Sequence, residues 1–316
     1  LVDGESLVTS ADLAAPIASP VVEDFIEKGA HRFGQTLDAR TCAELLADLK
    51  ADRAWGADLF LEEEAFDADP QYRGVNPRAG RNLLERFADR LAFIEQAPQI
   101  VAGLTAVLGQ GYRILDRKVV CGVPDSVMPG WLKTRIAGNP VNNLGPYVRP
   151  QYRDVTYFYG IDFHQDLIDF KGREADFLTL YVYLSRVGPD DAPLYLLEGS
   201  HNLGAALFPH DLQRTDPEHW RYRSGDQAID CRQVLLLGEA GSVFMWHACT
   251  LHGTQPDATD HERISLRYLF ERAPGSEAGM DRINAHLLGP LQLDDTRIDL
   301  DADGAARIKA NSVNQA

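Results

Sequence analysis

The sequence predicts a mainly β fold with flanking helices, built as an antiparallel barrel or sandwich, and three observations carry that expectation. From Tyr112 onward the apolar runs are short and rich in β-branched and aromatic residues. Gly, Pro and Asp turns separate them. No long helical periods alternate with them, as a doubly wound sheet would require. The 316 residues, 45% of them hydrophobic, supply a sizeable core, and no internal repeat points to a solenoid. A single domain, 1–316, is expected. Residues 20–110 would form helical support, 111–275 the β core with a lid-like insertion at 124–162, and 276–316 a C-terminal helix and tail.

Ser19 and Pro20 pair an N-cap residue with a first-turn proline ahead of Val21, Val22, Phe25 and Ile26, and Gly29 is placed to stop that helix. Cys42, Leu45, Leu46 and Leu49 then follow i, i+3, i+4, i+7 spacing, an amphipathic helix from about Ala39. A third helical region runs over 80–108. Leu84, Phe87, Leu91 and Ile94 share one face of it, Pro98 interrupts it and Gly109 ends it. Strands are expected at 114–123, 177–184, 194–197, 234–237, 242–246 and 264–270. Between Pro124 and Asp162 the chain is rich in Pro, Gly, Asn, Tyr and Arg without a sustained period, the character of a lid or binding loop. From about Ala278 it is polar and Asp-rich, read as a short helix and a loosely ordered tail.

Lys and Arg number 31 against 47 Asp and Glu, a formal charge of −16 that disfavours nucleic acid and anionic membrane surfaces as partners. A local arginine cluster can still hold an anionic ligand. Cys42, Cys121, Cys231 and Cys249 show no metal or redox spacing, and reduced thiols in a cytoplasmic protein are the economical expectation. No apolar run approaches the roughly 20 residues needed to span a bilayer, and no cationic start with an apolar core and cleavage site is evident.

His164-Gln165-Asp166 ends a stretch that can be extended, so imidazole and carboxylate, two residues apart, fall on one side. Alone, one His-x-Asp pair is expected by chance about once in such a chain. His252 and Gly253, followed by Arg263, Ser265 and Arg267, strengthen the case. Two imidazoles and one carboxylate on one face of a metal leave three positions open, two for a keto acid and one for O2, the arrangement of non-haem Fe(II) oxygenases. Arg263 can supply a planar cationic fork for the distal carboxylate of 2-oxoglutarate, with Ser265 donating a second bond. Arg267 shares that parity, so strand geometry alone does not choose between the two arginines.

His164-Gln165-Asp166, the run Ala192 to His201 with its Gly199-Ser200-His201 turn, and His252-Gly253 with Arg263 eleven residues on resemble the phytanoyl-CoA dioxygenase family. The similarity covers about Val21 to Phe270. It implies a double-stranded β-helix of the jelly-roll, cupin-like kind. It also implies iron held by His164, Asp166 and His252 and 2-oxoglutarate held by Arg263, with Ser265, Tyr181 and Lys118 in the same pocket. The implied reaction consumes O2 and 2-oxoglutarate, releases succinate and CO2, and hydroxylates or desaturates a small molecule. Asp166 argues against halogenation, which in related enzymes requires a small residue at that place.

Among the other histidines, His201 is expected to stabilise a turn or border the pocket. His247, five residues from His252, would face the opposite side of an unbroken strand. His31, His210, His219, His261 and His286 are expected to face solvent. Tyr147, Tyr152, Tyr157, Tyr159, Arg149 and Arg153 could line an aromatic, cationic entrance for a polar or carboxylated substrate. Gly109-Gln110-Gly111 lacks the third glycine of a dinucleotide fingerprint, and Ser200 lacks a hydrolase elbow. The competing functions are a cupin-like metal isomerase or hydrolase, which would not need 2-oxoglutarate, and a non-catalytic binding protein.

Overall fold

The computed structural model describes residues 19–53, 58–69, 81–256, 259–302 and 306–309. The N-terminal part comprises α1 (Pro20–Lys28), β1 (Ala30–Gln35), α2 (Ala39–Asp52), α3 (Glu63–Ala68), α4 (Arg81–Arg86), α5 (Ala92–Glu95) and α6 (Pro98–Leu108). There follow β2 (Arg113–Gly122), α7 (Gly130–Ile136), β3 (Val141–Asn143), β4 (Thr156–His164), β5 (Phe177–Tyr183) and β6 (Leu194–Glu198). The chain continues through β7 (Asp211–Arg214), β8 (His219–Ser224), β9 (Gln227–Leu236), β10 (Ser242–His247), β11 (His252–Thr254), β12 (Arg263–Glu271) and α8 (Gly279–Asn284).

Gly29 closes α1 at φ +74°, a left-handed turn that glycine adopts without a Cβ penalty, and its N–H reaches the Phe25 carbonyl. Asp38 caps α2, its carboxylate accepting from the Thr41 N–H, while Cys42, Leu45 and Leu49 are buried as their spacing requires. Two expectations for this region change. β1 interrupts the helices, because Ala30 to Gln35 pairs antiparallel with β10. The third helical region is several pieces rather than one: α4 buries Leu84, α5 buries Ile94 with Leu91 buried just before it, and Pro98 starts α6 rather than interrupting a longer helix. Gly80, where that region was expected to begin, lies outside the described residues.

The strands follow the order β1-β10-β5-β12-β2-β4-β11-β6-β9-β8-β7, with β3 against β4. Alternation sorts their side chains. Leu180, Val182, Met245, Leu266, Tyr268, Val119 and Cys121 face outward into one core with Phe25, Leu45, Leu104 and the other helical residues. Their neighbours Tyr181, Tyr183, Phe244, Trp246 and Val120 face inward and pack with Leu194, Leu196 and Leu236 of β6 and β9. The sheet is therefore rolled so that its halves face one another, the expected jelly roll, with helices on one outer face.

Residues 124–162 are not one irregular insertion. They contain α7 and β3, and from Thr156 they become β4, a central strand between β2 and β11. The C-terminal tail is also better ordered than its composition implies. Ala175 and Gly172 donate to the Leu291 and Leu293 carbonyls at 2.8 and 2.9 Å, Phe208 and Thr296 pair at 2.9 Å, and Asp299 is buried. Backbone pairing of this kind overrides local polarity. All four cysteines are free and buried. Among the described residues no helix is long and apolar enough to cross a membrane.

Gly253 sits where a Cβ would lie 2.7 Å from the Ile161 carbonyl oxygen of β4. Gly253→Ala should therefore push β11 from β4, lowering stability by about 1–3 kcal/mol, as denaturant or thermal melts would read. An unchanged stability would refute this account of the close approach.

Candidate functional site

The β4–β11 ladder sets His252 directly opposite His164, with ring centroids 4.2 Å apart. After His164 the strand ends. The Gln165 side chain turns into the interior, donating to the Gly204 and Cys249 carbonyls at 2.7 and 3.0 Å and accepting from the Ala206 N–H at 2.9 Å. That anchor fixes the turn Asp166–Asp169 and returns the Asp166 carboxylate to the side of the two imidazoles, 3.7 Å from His252 Nε2. The sequence places Asp166 on the strand; it stands two residues beyond its end, held by its N–H to the Ala248 carbonyl at 3.1 Å.

Each imidazole is oriented through its other nitrogen. His164 Nδ1 lies 3.0 Å from the Asp162 carbonyl and His252 Nδ1 3.0 Å from the Thr250 carbonyl. A carbonyl only accepts, so Nδ1 carries the proton and Nε2 keeps its lone pair. Burial, assisted at His164 by the neighbouring His252, pushes both pKa values down and keeps the rings neutral, the state in which imidazole ligates a metal. Burial acts to raise the Asp166 pKa, but Arg267, His252 and the Thr179 hydroxyl together hold it well below the usual carboxylate range. Thr179 and Trp246 Nε1, the latter at 3.0 Å, both donate to Oδ2, and Arg267 donates to Oδ1. Among the described residues no group of three His, Cys, Asp or Glu side chains is already drawn together as a metal site. Here Arg267 occupies the Asp166 oxygen nearest His252. Two neutral imidazoles with free Nε2 atoms beside an ionised carboxylate are nevertheless a fitting donor set for Fe(II).

The site opens into a cavity of about 570 Å³. Arg263, Tyr181 and Lys118 line it, while Ser265 is fully buried beside Arg263. Arg263, only 2% exposed, donates to Tyr181 Oη at 3.0 Å and Ser265 Oγ at 3.4 Å, and its buried Nε has no partner among the described residues. The ladder separates the two arginines. Arg263 pairs with Gly122 of β2, whereas Arg267 pairs with Lys118 and with Tyr181 of β5. At about 3.3 Å per residue they stand roughly 13 Å apart along the strand, and only Arg267 reaches Asp166. Lys118 is half-buried at the cavity floor, its pKa lowered to about 8 by burial and by Arg267.

Several expectations change here. Of the aromatic, cationic entrance only Tyr147 lines the cavity. Tyr152 donates to Asp58 at 2.6 Å, Tyr159 to Asp125, Tyr157 is buried in the helical core, and Arg149 and Arg153 donate to the Phe60 and Val148 carbonyls. The mouth takes its cations instead from Arg135, Arg297 and Lys309. His210 does not face solvent: both ring nitrogens are sealed between Phe208 and Tyr222, and burial pushes its pKa to about 3. His31 lies on β1, half-buried against Asp24. His201 is buried against Gly29, and His247 bonds Asn284 Oδ1 at 3.0 Å; neither lines the cavity. Thr179 and Trp246 were missed as partners of Asp166. Their inward parity on adjacent strands was the available signal, but only the register Trp246↔Thr179 reveals it.

Residues 25–265 match the family model described as phytanoyl-CoA dioxygenase (PhyH). That class is the non-haem Fe(II)- and 2-oxoglutarate-dependent oxygenases, which use O2. The chain belongs to the phytanoyl-CoA dioxygenase family. A curated relative, described as a probable alpha-ketoglutarate-dependent hypophosphite dioxygenase of Stutzerimonas stutzeri, is 23% identical over 262 residues, 78% of this chain and 75% of that protein. The fold resembles the crystal structure of the non-heme alpha ketoglutarate dependent epimerase SnoN from nogalamycin biosynthesis, with TM-score 0.51 at 17% identity over 90% of this chain and 95% of that one. SnoN in complex with Fe3+, alpha ketoglutarate and nogalamycin RO gives TM-score 0.50 at 16% identity, over 88% and 96%.

Burial holds His201 to about 3 and His247 to about 4, both below the ordinary 6.5. As pH falls, the unfolded chain takes up these protons first. Stability fully present above 6.5 is therefore lost as pH falls, down to about 4 for His247 and about 3 for His201, by up to about 1.4 kcal/mol per pH unit for each ring. Denaturant melts of metal-free protein between about pH 7 and pH 4.5 should show that decline, and His247→Gln should make it shallower. An identical slope in the variant would show that His247 is protonated in the fold.

Proposed function

We propose that the protein is an Fe(II)- and 2-oxoglutarate-dependent dioxygenase that hydroxylates a small molecule and releases succinate and CO2. His164, Asp166 and His252 hold the iron, and Arg263 anchors the cosubstrate. The observation that carries the reading is the pair of imidazoles, ring centroids 4.2 Å apart and held at Nδ1 by backbone carbonyls, lining the same cavity as Asp166, with His252 Nε2 3.7 Å from its carboxylate.

When bound, iron would activate O2, the oxidant, with two electrons coming from 2-oxoglutarate as it is decarboxylated to succinate and CO2 and two from the substrate as its C–H becomes C–OH. The chain's own residues bind and orient. Arg263 offers its unpartnered Nε and remaining fork to the distal carboxylate, and Tyr181 and Ser265 hold that fork in place. Arg263 suits this role better than Arg267 because its distance from Asp166 leaves room for the keto acid between them. Thr179 and Trp246 keep one Asp166 oxygen occupied and so orient the other. Leu194, Phe158, Ile161 and Trp246 line the cavity and limit water around the reacting atoms. The donors of Arg263 have no use in a metal isomerase or hydrolase that lacks a keto acid.

Arg263→Ala should weaken 2-oxoglutarate binding by roughly 10- to 100-fold, about the worth of a charge-assisted pair, while Fe(II) still binds. Anaerobic titration of the Fe(II) protein reads both, and succinate release reads turnover. Loss of iron with unchanged cosubstrate affinity would reverse the assignment.

A further inference from the structure

The end of the cavity nearest Asp166 holds more hydrogen-bond donors than the protein satisfies. Arg267 carries five N–H groups, yet its single side-chain hydrogen bond to a described residue goes to Asp166. Lys118 stands directly across the ladder from it and makes no side-chain hydrogen bond or ion pair with any described residue. Two cations side by side repel, which is why Arg267 contributes to the lowered Lys118 pKa, and Asp116 and Asp169 offset this only through space. The two arginines at the mouth differ in being ion-paired, whereas Lys309 there donates to the Ala137 carbonyl at 3.4 Å. Arg135 is paired with Asp67 and Glu63, and Arg297 is forked onto Asp299 at 2.8 and 2.7 Å.

Arg263 already has a geometry suited to the distal carboxylate, roughly 13 Å from Arg267 along β12. Lys118 and Arg267 are therefore left over at the metal end. Val120 and Ile168 line the cavity alongside them, so the site combines an apolar wall with a concentrated set of donors. A neutral alcohol or amide offers too few acceptors to satisfy such a pair. A carboxylate or phosphonate offers several, in the planar or tripodal arrangement that a guanidinium and an ammonium recognise.

We propose that Lys118 and Arg267 form the subsite for an oxyanion group on the primary substrate, so that the enzyme acts on a small carboxylate or phosphorus oxyanion rather than a neutral molecule. This rests on the iron and 2-oxoglutarate reading above. With substrate bound, the guanidinium bridges Asp166 and the substrate oxyanion, placing the rest of the substrate beside the metal ligands. Arg267 and Lys118 thus act as anchoring residues that set specificity.

The test uses the full chain loaded anaerobically with Fe(II) and saturating 2-oxoglutarate. Acetate, methylphosphonate and inorganic phosphite are titrated as probes, with acetamide as the neutral control. Calorimetry and the iron-to-cosubstrate charge-transfer absorption report binding without turnover. At least one oxyanion should bind and perturb the absorption while acetamide does not, and preference between the carbon and phosphorus probes distinguishes the two sources. Its affinity should fall roughly 10- to 100-fold in Lys118→Gln and in Arg267→Gln, with 2-oxoglutarate affinity changed less than about threefold. Lys118→Gln, at a half-buried position, keeps the test decisive if Arg267→Gln fails to fold. Binding of 2-oxoglutarate without binding of any oxyanion would overturn the inference and leave the proposed function standing. Loss of 2-oxoglutarate affinity in Lys118→Gln or Arg267→Gln would assign the pair to the cosubstrate instead. Failure of the wild-type Fe(II) protein to bind 2-oxoglutarate would sink both readings.

Discussion

Everything at the candidate centre depends on how β4 and β11 pair. Side chains alternate along a strand, so a slip of one residue in this short ladder would turn His252 away from His164. The close approach of Gly253 to the Ile161 carbonyl holds that register from the backbone side. Gln165 holds it from the other, tying the His-x-Asp turn to the loops carrying Gly204 and Cys249. The site is thus fixed by backbone contacts that involve none of the proposed ligands' metal-facing atoms, which leaves those atoms free for chemistry.

The second constraint is electrostatic. Asp166 is 2% exposed, and an ionised carboxylate so deep in the protein persists only with strong partners. Three neighbouring strands provide them: β5 gives Thr179, β10 gives Trp246 and β12 gives Arg267. The same strands, on their outward parity, fill the core shared with the helices. Packing on one face therefore supports polar order on the other, because any movement of β5, β10 or β12 is resisted by Leu180, Met245 and Leu266.

Much of this was legible in the sequence, and for identifiable reasons. His164, Asp166, His252 and Arg263 stand out because they occur in the order and spacing of a motif resembling that of the phytanoyl-CoA dioxygenase family, whose model matches residues 25–265. The β-rich runs at β5, β10 and β12 were readable because they are buried on both faces or nearly so, and β2 because its C-terminal part, Val119 to Gly122, is. β1, β7, β8 and β11 were not, since short or polar strands take their identity from the partner they join. The choice between Arg263 and Arg267 needed register, which parity cannot supply. The sealed position of His210 and the ordered tail escaped notice because both arise from contacts between segments distant in sequence, such as Phe208 with Thr296.

Residues 290–302 and 306–309 lie beyond the family-matched region, yet the first of these segments pairs with the 172–175 and 205–208 loops, and together they bring Arg297, Leu300, Asp301 and Lys309 to the cavity. Part of the doorway therefore belongs to a different stretch of chain from the machinery, with Arg135 its contribution from within the matched region. Changes in one can accumulate without disturbing the other. Substitutions on this C-terminal side of the mouth would therefore change what enters the cavity while leaving the strands that carry His164, Asp166 and His252 untouched.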